Sequence, residues 1–555
     1  MRGAPVRPDR RTVRIRWLGR VGYDEALALQ RGLVASSSDD HLLLLEHPHV
    51  YTLGVRADVA HVLVPPASVG AELVRTDRGG EVTYHGPGQL VGYPILTVPG
   101  RRGGGMADTV AHMSSLEQLV IDVLTDLGVP GAGRHPRQRG VWVGDAKICA
   151  VGARLARSRS MHGFALNVDP DLSMFDHIVP CGVPGQRVTS LAAEGARVTM
   201  RNVVDAVARR AARRWGGGIA ERQDVAWRDG PVDVAALGGA AVGGSAAPVE
   251  GTPVRLRARL AQAGVAPGLS LAERKPEWLR APALMGPEYL SLGRTVRGLS
   301  LHTVCEEAGC PNIFECWSEG TATFMINGER CTRACGFCLV DTDRPEPPVP
   351  EEPDRVAEAV ERMGLSHAVV TAVARDDLAD GGAGAFAATI GAIRRRVPGC
   401  AVEVLVPDCK GDAAALAAIF AARPEVLNHN LETVARLQRA ARPSAGYARS
   451  LAVLARAKAA GLVTKSGLIL GMGETDDEVE GALADLAGVG VDIVTLGQYL
   501  RPTGRHLPVA RWVHPSTFDE LARRGRRLGL GHVEASPLTR SSYHARRAAE
   551  AVVRH

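Results

Sequence analysis

Cys331-Thr332-Arg333-Ala334-Cys335-Gly336-Phe337-Cys338 places three cysteines at the spacing C-x3-C-x2-C. Thiols this close, in a chain whose cysteine usage fits a reducing compartment, hold a metal more often than each other. Iron–sulfur clusters are normally held by four Cys thiolates, so three leave one iron of a four-iron cluster without a protein ligand, and chemistry can happen there. A tetrahedral zinc site needs a fourth Cys or His nearby, and Leu339-Val340-Asp341-Thr342-Asp343 offers none. Phe337 inside the run suits a cluster kept partly dry.

Outward from this stretch, strand-like apolar runs occur at Thr323 to Ile326, His367 to Ala372, Val402 to Val406, Leu427 to Leu431, Thr464 to Leu470, Ile493 to Leu496 and His532 to Ala535. Helical patterns fall between them, at Val356 to Met363, Phe386 to Arg396, Ser450 to Ala460, Asp477 to Leu486 and Phe518 to Leu528. Regular alternation of this kind predicts a parallel sheet curled into a partial (β/α) barrel of six or seven strands, open on one side. A second triad, Cys305, Cys310 and Cys316, precedes the first at C-x4-C-x5-C, and Arg540-Ser541-Ser542-Tyr543 lies near the C-terminus.

The run C-x3-C-x-aromatic-C resembles the motif of the radical S-adenosylmethionine enzymes, and the two triads with R-S-S-Y together resemble lipoyl synthase. That resemblance implies a [4Fe-4S] cluster on Cys331, Cys335 and Cys338 whose open iron binds S-adenosyl-L-methionine. It implies a second, auxiliary [4Fe-4S] cluster on Cys305, Cys310, Cys316 and Ser542 that gives up sulfur, and an electron donor such as ferredoxin or flavodoxin. Arg375-Asp376-Asp377-Leu378, Asn428 to Thr433 and Gly471 to Thr475 also match the family and are expected near the cofactor, at the C-terminal strand ends. Ala374 departs from the family, which has Asp before the Arg. Cys149, Cys400 and Cys409 have no motif partner and read as core or surface thiols.

The N-terminal part has another character. Residues 13 to 100 read as strands and turns around one helix, Tyr23 to Ala35. Arg78-Gly79-Gly80-Glu81-Val82-Thr83-Tyr84-His85-Gly86-Pro87-Gly88-Gln89 reads as a glycine-rich loop that brings backbone close to a ligand. A helix is expected over Asp108 to Leu127 with Gly128 at its end, then a hairpin of Gly140 to Val143 and Lys147 to Gly152 turning at Gly144-Asp145. Lys147, among apolar residues, is either snorkelling or buried. A strand at Met161 to Val168 leads to Val179-Pro180-Cys181-Gly182, where Cys181 precedes a glycine in a turn.

In this order, over about residues 13 to 215, these segments resemble lipoyl(octanoyl) transferase. The resemblance implies that Cys181 is the acyl-carrying nucleophile and that Lys147 sets its ionisation. The acyl chain is then cradled by Arg78, Gly79, Gly80, Glu81, Val82, Thr83, Tyr84 and His85, by Ala150, Val151 and Gly152, and by Gly163, Phe164 and Ala165.

Length and charge agree with two enzymes in one chain. At 555 residues two or three domains are expected, and 66 basic against 60 acidic residues give a net charge of +6 without a Lys/Arg run that would point to nucleic acid. No window of 18 apolar residues predicts a membrane span, and the basic N-terminus is not followed by the apolar stretch of a secretory signal. The expected location is cytoplasmic, with no membrane partner.

The expected fold class is therefore α/β and α+β in two domains. Residues 1–220 form a mixed α/β octanoyltransferase domain of the biotin/lipoate protein ligase type. Residues 221–270 form a flexible Gly/Ala/Pro linker, and 271–555 a partial (β/α) barrel of the radical SAM type. The resemblances imply transfer of octanoyl from acyl carrier protein to a lysine of lipoyl domains, then insertion of two sulfur atoms at C6 and C8. The lipoyl domains are those of the 2-oxoacid dehydrogenases and the glycine cleavage H protein. Three other readings remain at this stage: a ligase-like module that adenylates a free acid, another sulfur-inserting radical enzyme, and a zinc scaffold.

Overall fold

The computed structural model describes residues 12–100, 107–156, 158–218, 220–227, 252–266, 268–270, 273–280, 294–299, 301–303, 312–313, 316 and 321–553. Cys305 and Cys310 lie outside the described residues. The chain divides into two compact units, Met1–Trp227 and Arg228–His555. Among the described residues no helix is long and apolar enough to cross a membrane.

In the first unit the strands are β1 (Val13–Arg20), β2 (Asp40–Glu46), β3 (Val50–Leu53), β4 (Glu72–Arg75), β5 (Val82–His85), β6 (Gln89–Ile95), β7 (Ala132–Gly133), β8 (Val141–Val143), β9 (Ala146–Ala156), β10 (Arg159–Asn167) and β11 (Ala220–Asp224). They build an eight-stranded mixed sheet in the order β11-β1-β2-β6-β10-β9-β8-β7 and a three-stranded sheet β4-β3-β5. Helices α1 (Tyr23–Ser36), α2 (Thr109–Asp126) and α3 (Met200–Trp215) complete the unit. Leu119, Val120, Val123 and Leu124 of α2 and Val203, Val204 and Val207 of α3 share one core with Ile15, Leu42, Leu90 and Leu166 of the sheet. Asp108 caps α2 by accepting from the Ala111 N–H at 3.0 Å, a common way to satisfy a helix's free first-turn donors.

Three details differ from the sequence reading. Arg78 to Gln89 is not one loop, because Val82–His85 pairs with β3 as β5; β-branched and aromatic residues favour strands, and only the flanking glycines turn. Within the segment read as linker, 221–270, the polar residues up to Asp224 form the edge strand β11 beside β1. The weak helix that the sequence suggests over Val254 to Ala263 is present as α4 (Val254–Gln262), with Leu256 and Leu260 buried. Val110, which falls on the helical period of apolar residues Val110, Met113, Leu116, Val120, Val123 and Leu127 read from the sequence, is 51% exposed.

The second unit is an eight-stranded sheet. A two-residue strand β12 (His302–Thr303) runs antiparallel to β13 (Thr321–Ile326). The parallel strands β14 (His367–Ala372), β15 (Ala401–Leu405), β16 (Val426–Asn428), β17 (Val463–Leu470), β18 (Ile493–Gln498) and β19 (His532–Ala535) follow in chain order. Helices α5 (Glu352–Arg362), α6 (Ala383–Arg396), α7 (Ala413–Ala421), α8 (Tyr447–Ala459), α9 (Asp476–Gly488) and α10 (Pro515–Arg527) connect successive parallel strands. Among the described residues no pairing joins β19 back to β13, so the barrel stays open. Every expected strand is present. The one connecting helix missed, α7, reads Ala-Ala-Ala-Leu-Ala-Ala-Ile-Phe-Ala; a helix apolar all round has no polar stripe to reveal its period.

Inside this sheet Lys465 of β17 and Glu403 of β15 are both fully buried, with Nζ 2.9 Å and 3.2 Å from the two carboxylate oxygens. Burial pushes the Glu403 carboxyl up, but Lys465, helped by His367, outweighs it and holds the group below its ordinary value of about 4.5. The pair's contribution is therefore full above that pH and fades as pH falls below it. Lys465→Met, which strands the carboxylate, is expected to lower the stability of this unit by about 3–5 kcal/mol. Lys465→Met with Glu403→Leu is expected to recover most of the loss. Urea midpoints check both, with the wild-type advantage over Lys465→Met shrinking at acid pH.

Candidate active sites

In the first unit, β9, β10 and the start of β5 wall a cavity of about 420 Å³. Cys181 sits at it on the turn Pro180–Gly182, with φ 58° and ψ 18°. This left-handed conformation is uncommon for a residue with a side chain, and such strain clusters at functional sites. Lys147 on β9 is 6% exposed. Its Nζ lies 3.2 Å from Cys181 Sγ and 5.0 Å from the centre of the Trp142 ring. The sequence left two fates open for Lys147; it is buried, with its ammonium on the cysteine.

Of the residues expected to cradle an acyl chain, Arg78, Gly79, Gly80, Glu81, Val82, Thr83, His85, Ala150, Val151, Gly152, Gly163, Phe164 and Ala165 line this cavity. Tyr84 does not. Its neighbours on β5 alternate across the strand, and its ring packs with Tyr51 and Phe175 while its hydroxyl meets His49 Nδ1 at 2.8 Å. Arg78 lines the wall but spends its donors internally. Its Nη2 donates to the Thr52 carbonyl (2.7 Å), the Thr52 hydroxyl (2.9 Å) and the Glu81 carbonyl (2.7 Å), so it fastens the glycine turn to β3. A Cβ on Gly54 would stand 2.3 Å from the Gly80 carbonyl oxygen, and one on Gly163 2.2 Å from that of Gly92. Here glycine is required by close backbone approach.

His85 Nδ1 donates to Gln89 Oε1 (2.8 Å), and the ring faces Thr52 Oγ1. Burial, reinforced by His47 and Arg78, pushes its imidazole down to about 3, so it is neutral at neutral pH. Tyr23, Tyr93, Met113, Arg56, Arg137 and His162 also reach the cavity and were not singled out from sequence. His162 was within sight, as the residue before Gly163.

In the second unit Cys331, Cys335 and Cys338 line one cavity of about 400 Å³, at the C-terminal ends of the parallel strands. Arg333 ties their loop down. Its Nε and Nη2 donate to the two oxygens of Asp376 at 2.8 and 2.7 Å, and Nη2 also donates to Asp408 Oδ1 at 2.6 Å. Burial disfavours that guanidinium, but the two carboxylates outweigh it and raise its pKa. The backbone N–H groups of Arg333 and Ala374 point at Cys331 Sγ, at 3.4 and 3.3 Å. Ala374, the departure from the family pattern, thus contributes backbone.

The donor set fits an iron–sulfur cluster. Burial first, then the neighbouring Cys331 and Glu432, pushes the Cys335 thiol up to about 11 against the pull of Arg442. Burial also pushes Cys338 up to about 12, with Cys335 and Cys331 beside it. Thiols that crowd one another in a dry site stay protonated unless a cation draws off the protons. Three thiols carried on one loop to one cavity are the donor type that an iron–sulfur cluster takes.

His429, Asn430 and Glu432 of the expected N-H-N-L-E-T segment line this cavity. Arg375 instead holds the Asn327 carbonyl and Asp377, and Glu474 caps the Gly471 and Met472 N–H groups, so these two matches support the loops. Cys316 is half-buried, and Ser541 lines the cavity while Ser542, the expected ligand, is not among its lining residues. Cys149, Cys400 and Cys409 are buried thiols.

A partial barrel with a three-cysteine loop over its strand ends is the architecture of a radical S-adenosylmethionine enzyme, and residues 325–486 match the profile of the Radical SAM superfamily. Residues 265–310 match the N-terminal domain of lipoyl synthase of that family. The lipoyl synthase of Rubrobacter xylanophilus is 58% identical over 273 residues, 49% of this chain and 85% of that protein. That of Mycobacterium avium is 58% identical over 275 residues, 50% of this chain and 90% of its own. Through its C-terminal half the chain belongs to the lipoyl synthase family. Residues 22–212 match the lipoyl protein ligase A/B catalytic domain. Among solved structures, a putative lipoate protein ligase from T. acidophilum is similar at 18% identity and a TM-score of 0.33, over 39% of this chain and 89% of its own.

Arg333→Gln removes the cation between two carboxylates, one of them fully buried. Anaerobically reconstituted Arg333→Gln protein is expected to retain less than about half the iron and sulfide of wild type, since partners that orient ligands typically matter 10–100-fold in affinity. Iron and sulfide assays after gel filtration check it.

Proposed function

We propose that the chain carries out two consecutive steps of lipoyl-group assembly: transfer of an octanoyl group to a lysine of a lipoyl domain, then insertion of sulfur at C6 and C8. The observation that carries the first step is the Lys147 ammonium 3.2 Å from Cys181 Sγ in an acyl-sized cavity, in a chain whose other half belongs to the lipoyl synthase family.

In the first step a cation at hydrogen-bond distance favours the thiolate, the reactive form of cysteine. Cys181 Sγ attacks the thioester carbonyl of octanoyl-acyl carrier protein, and the carrier's thiol leaves. The lysine amine of a lipoyl domain then attacks the Cys181 thioester; the C–N bond forms, the C–S bond breaks, and Cys181 is restored. Lys147 holds the proton next to sulfur while the thioester forms. Apolar Val151 and Phe164 accommodate the chain.

In the second step Cys331, Cys335 and Cys338 would hold one [4Fe-4S] cluster, leaving an iron open to S-adenosyl-L-methionine. Cys305, Cys310, Cys316 and Ser542 would hold the second. Bound there, these groups supply a carbon radical that opens unactivated C–H bonds, and the sulfur that replaces hydrogen. Arg333 orients the cysteine loop, and His429, Asn430 and Glu432 line the space left for cofactor and acyl chain. The lipoyl domains of 2-oxoacid dehydrogenases and the glycine cleavage H protein are the acceptors, with a ferredoxin or flavodoxin as reductant, in the cytoplasm. Residues 221–270 carry the linker between the two domains, 1–220 and 271–555, and octanoylated lipoyl domain released by the first is captured by the second.

Intact mass of a lipoyl domain, followed anaerobically, tests both steps. Octanoyl-carrier protein is expected to add an octanoyl mass, and S-adenosylmethionine with reductant then to add two sulfurs at the expense of two hydrogens. Cys181→Ala is expected to abolish the first shift, by at least about a thousandfold in rate. Cys335→Ala is expected to abolish only the second. Octanoylation that needs ATP and survives Cys181→Ala would overturn the thioester route in favour of a ligase.

A further inference from the structure

Three segments touch the loop that carries Cys335 and Cys338: α4, the short helix Gln438–Ala441 and residues 505–507. A Cβ on Gly336 would stand 3.3 Å from Leu256 Cδ1 of α4 and 2.9 Å from Leu507 Cγ. The Gly336 N–H donates to the Ala441 carbonyl at 2.8 Å, and the Gly336 carbonyl accepts from the Leu507 N–H at 2.8 Å. His506 Nε2 donates to the Cys338 carbonyl at 2.9 Å.

Each of these segments carries a cation. Arg255 and Arg259 stand one turn apart on α4, beside the face that buries Leu256 and Leu260, and like charges at this spacing repel. Arg439 is on the helix Gln438–Ala441, which packs against α4. Burial, then the charges of Arg255 and Arg439, pushes the Arg259 pKa down, so the three guanidiniums share one patch. Arg505 precedes His506; Arg255 and Arg505 are exposed, Arg259 and Arg439 half-buried. Among the described residues none of the four forms an ion pair. By contrast Arg394, Arg396, Arg436, Arg511 and Arg524 of the same unit each meet a carboxylate. The acids that follow the triad, Asp341 and Glu346, face Arg330. Self-repelling charge left uncompensated on a surface steers an oppositely charged partner to it.

We propose that this patch is the landing surface for an acidic one-electron carrier protein, which reduces the cluster of Cys331, Cys335 and Cys338 from the outer side of their loop. The proposal rests on reading that triad as a cluster site. One electron leaves the carrier and enters the cluster, and no atom is transferred. Position identifies the partner. Electron transfer slows steeply with distance, and a single side-chain contact separates α4 from Gly336. A lipoyl domain has to deliver its acyl chain to the cavity at the strand ends, which is lined by Asn430, Glu432 and Arg442 and by none of the four arginines.

Full-length protein, reconstituted anaerobically and titrated calorimetrically at low salt with a flavodoxin and with a ferredoxin of acidic net charge, tests it. At least one carrier is expected to bind, less tightly as salt screens the charges. Arg255→Gln with Arg259→Gln and Arg439→Gln keeps helix-forming side chains and is expected to weaken that binding at least about tenfold, with iron and sulfide content at the wild-type level. Arg255→Gln with Arg505→Gln, both at exposed positions, is expected to weaken it at least about threefold. Arg523→Gln with Arg526→Gln and Arg527→Gln, which removes three charges from α10, is expected to bind as wild type does. Absence of binding of either carrier to wild type overturns the proposal. So does unchanged binding in either patch variant, equal weakening in the α10 variant, or a loss seen only for an apo lipoyl domain titrated in the same way. Wild-type protein that takes up no iron or sulfide overturns the cluster reading itself, a distinct result.

Discussion

One guanidinium holds the larger unit's chemistry in place. Arg333 follows β13, Asp376 follows β14 and Asp408 follows β15, and their ion pairs span three consecutive strand ends. A buried cation is costly unless satisfied, so this geometry is worth having only when both carboxylates are in position. The position of the cysteine loop is therefore tied to the positions of these strand ends. The Thr332 hydroxyl donates to the Ala374 carbonyl at 2.8 Å, and the Ala374 N–H points at Cys331, so this backbone meets the cysteine loop on two sides.

The N-terminal unit solves a comparable problem with backbone proximity. Gly54 against Gly80, and Gly92 against Gly163, remove the side chains that would hold segments apart. Arg78 then closes the glycine turn by donating to carbonyls of β3 and of its own loop. Cys181 in a left-handed turn brings sulfur to Lys147, whose ammonium has a ring face beneath it at Trp142. Both units place cysteine sulfur in the lining of a cavity, with a buried cation nearby. In one the cation touches the sulfur directly; in the other it fastens the loop that carries three of them.

Much of this was readable from residues alone, for identifiable reasons. The seven parallel strands announce themselves because strands covered on both faces are continuous apolar runs, and the hairpin at Gly144-Asp145 because a two-residue turn needs those residue types. Helix α7 was hidden by its uniformity, β11 by being a polar edge, and β5 by the glycines on either side of it. In the first cavity every cradle residue named from sequence lies in the lining except Tyr84, whose side of the strand depends on register, whereas Tyr23, Tyr93 and Met113 come from other elements and were missed.

The linear order of residues determined the spacing of Cys331, Cys335 and Cys338, the strand–helix alternation, the division into two units of different character, and the presence of a cysteine and a lysine in motif context. These are local properties, set by which neighbours a residue has along the chain. Tertiary structure alone decided that Lys147 is buried against Cys181, that Arg78 staples a loop, that Arg333 bridges two distant carboxylates and that His162 meets Asp77. Each depends on groups brought together from positions far apart in sequence, where burial and distance, not residue type, choose between a charge in solvent and a charge at work.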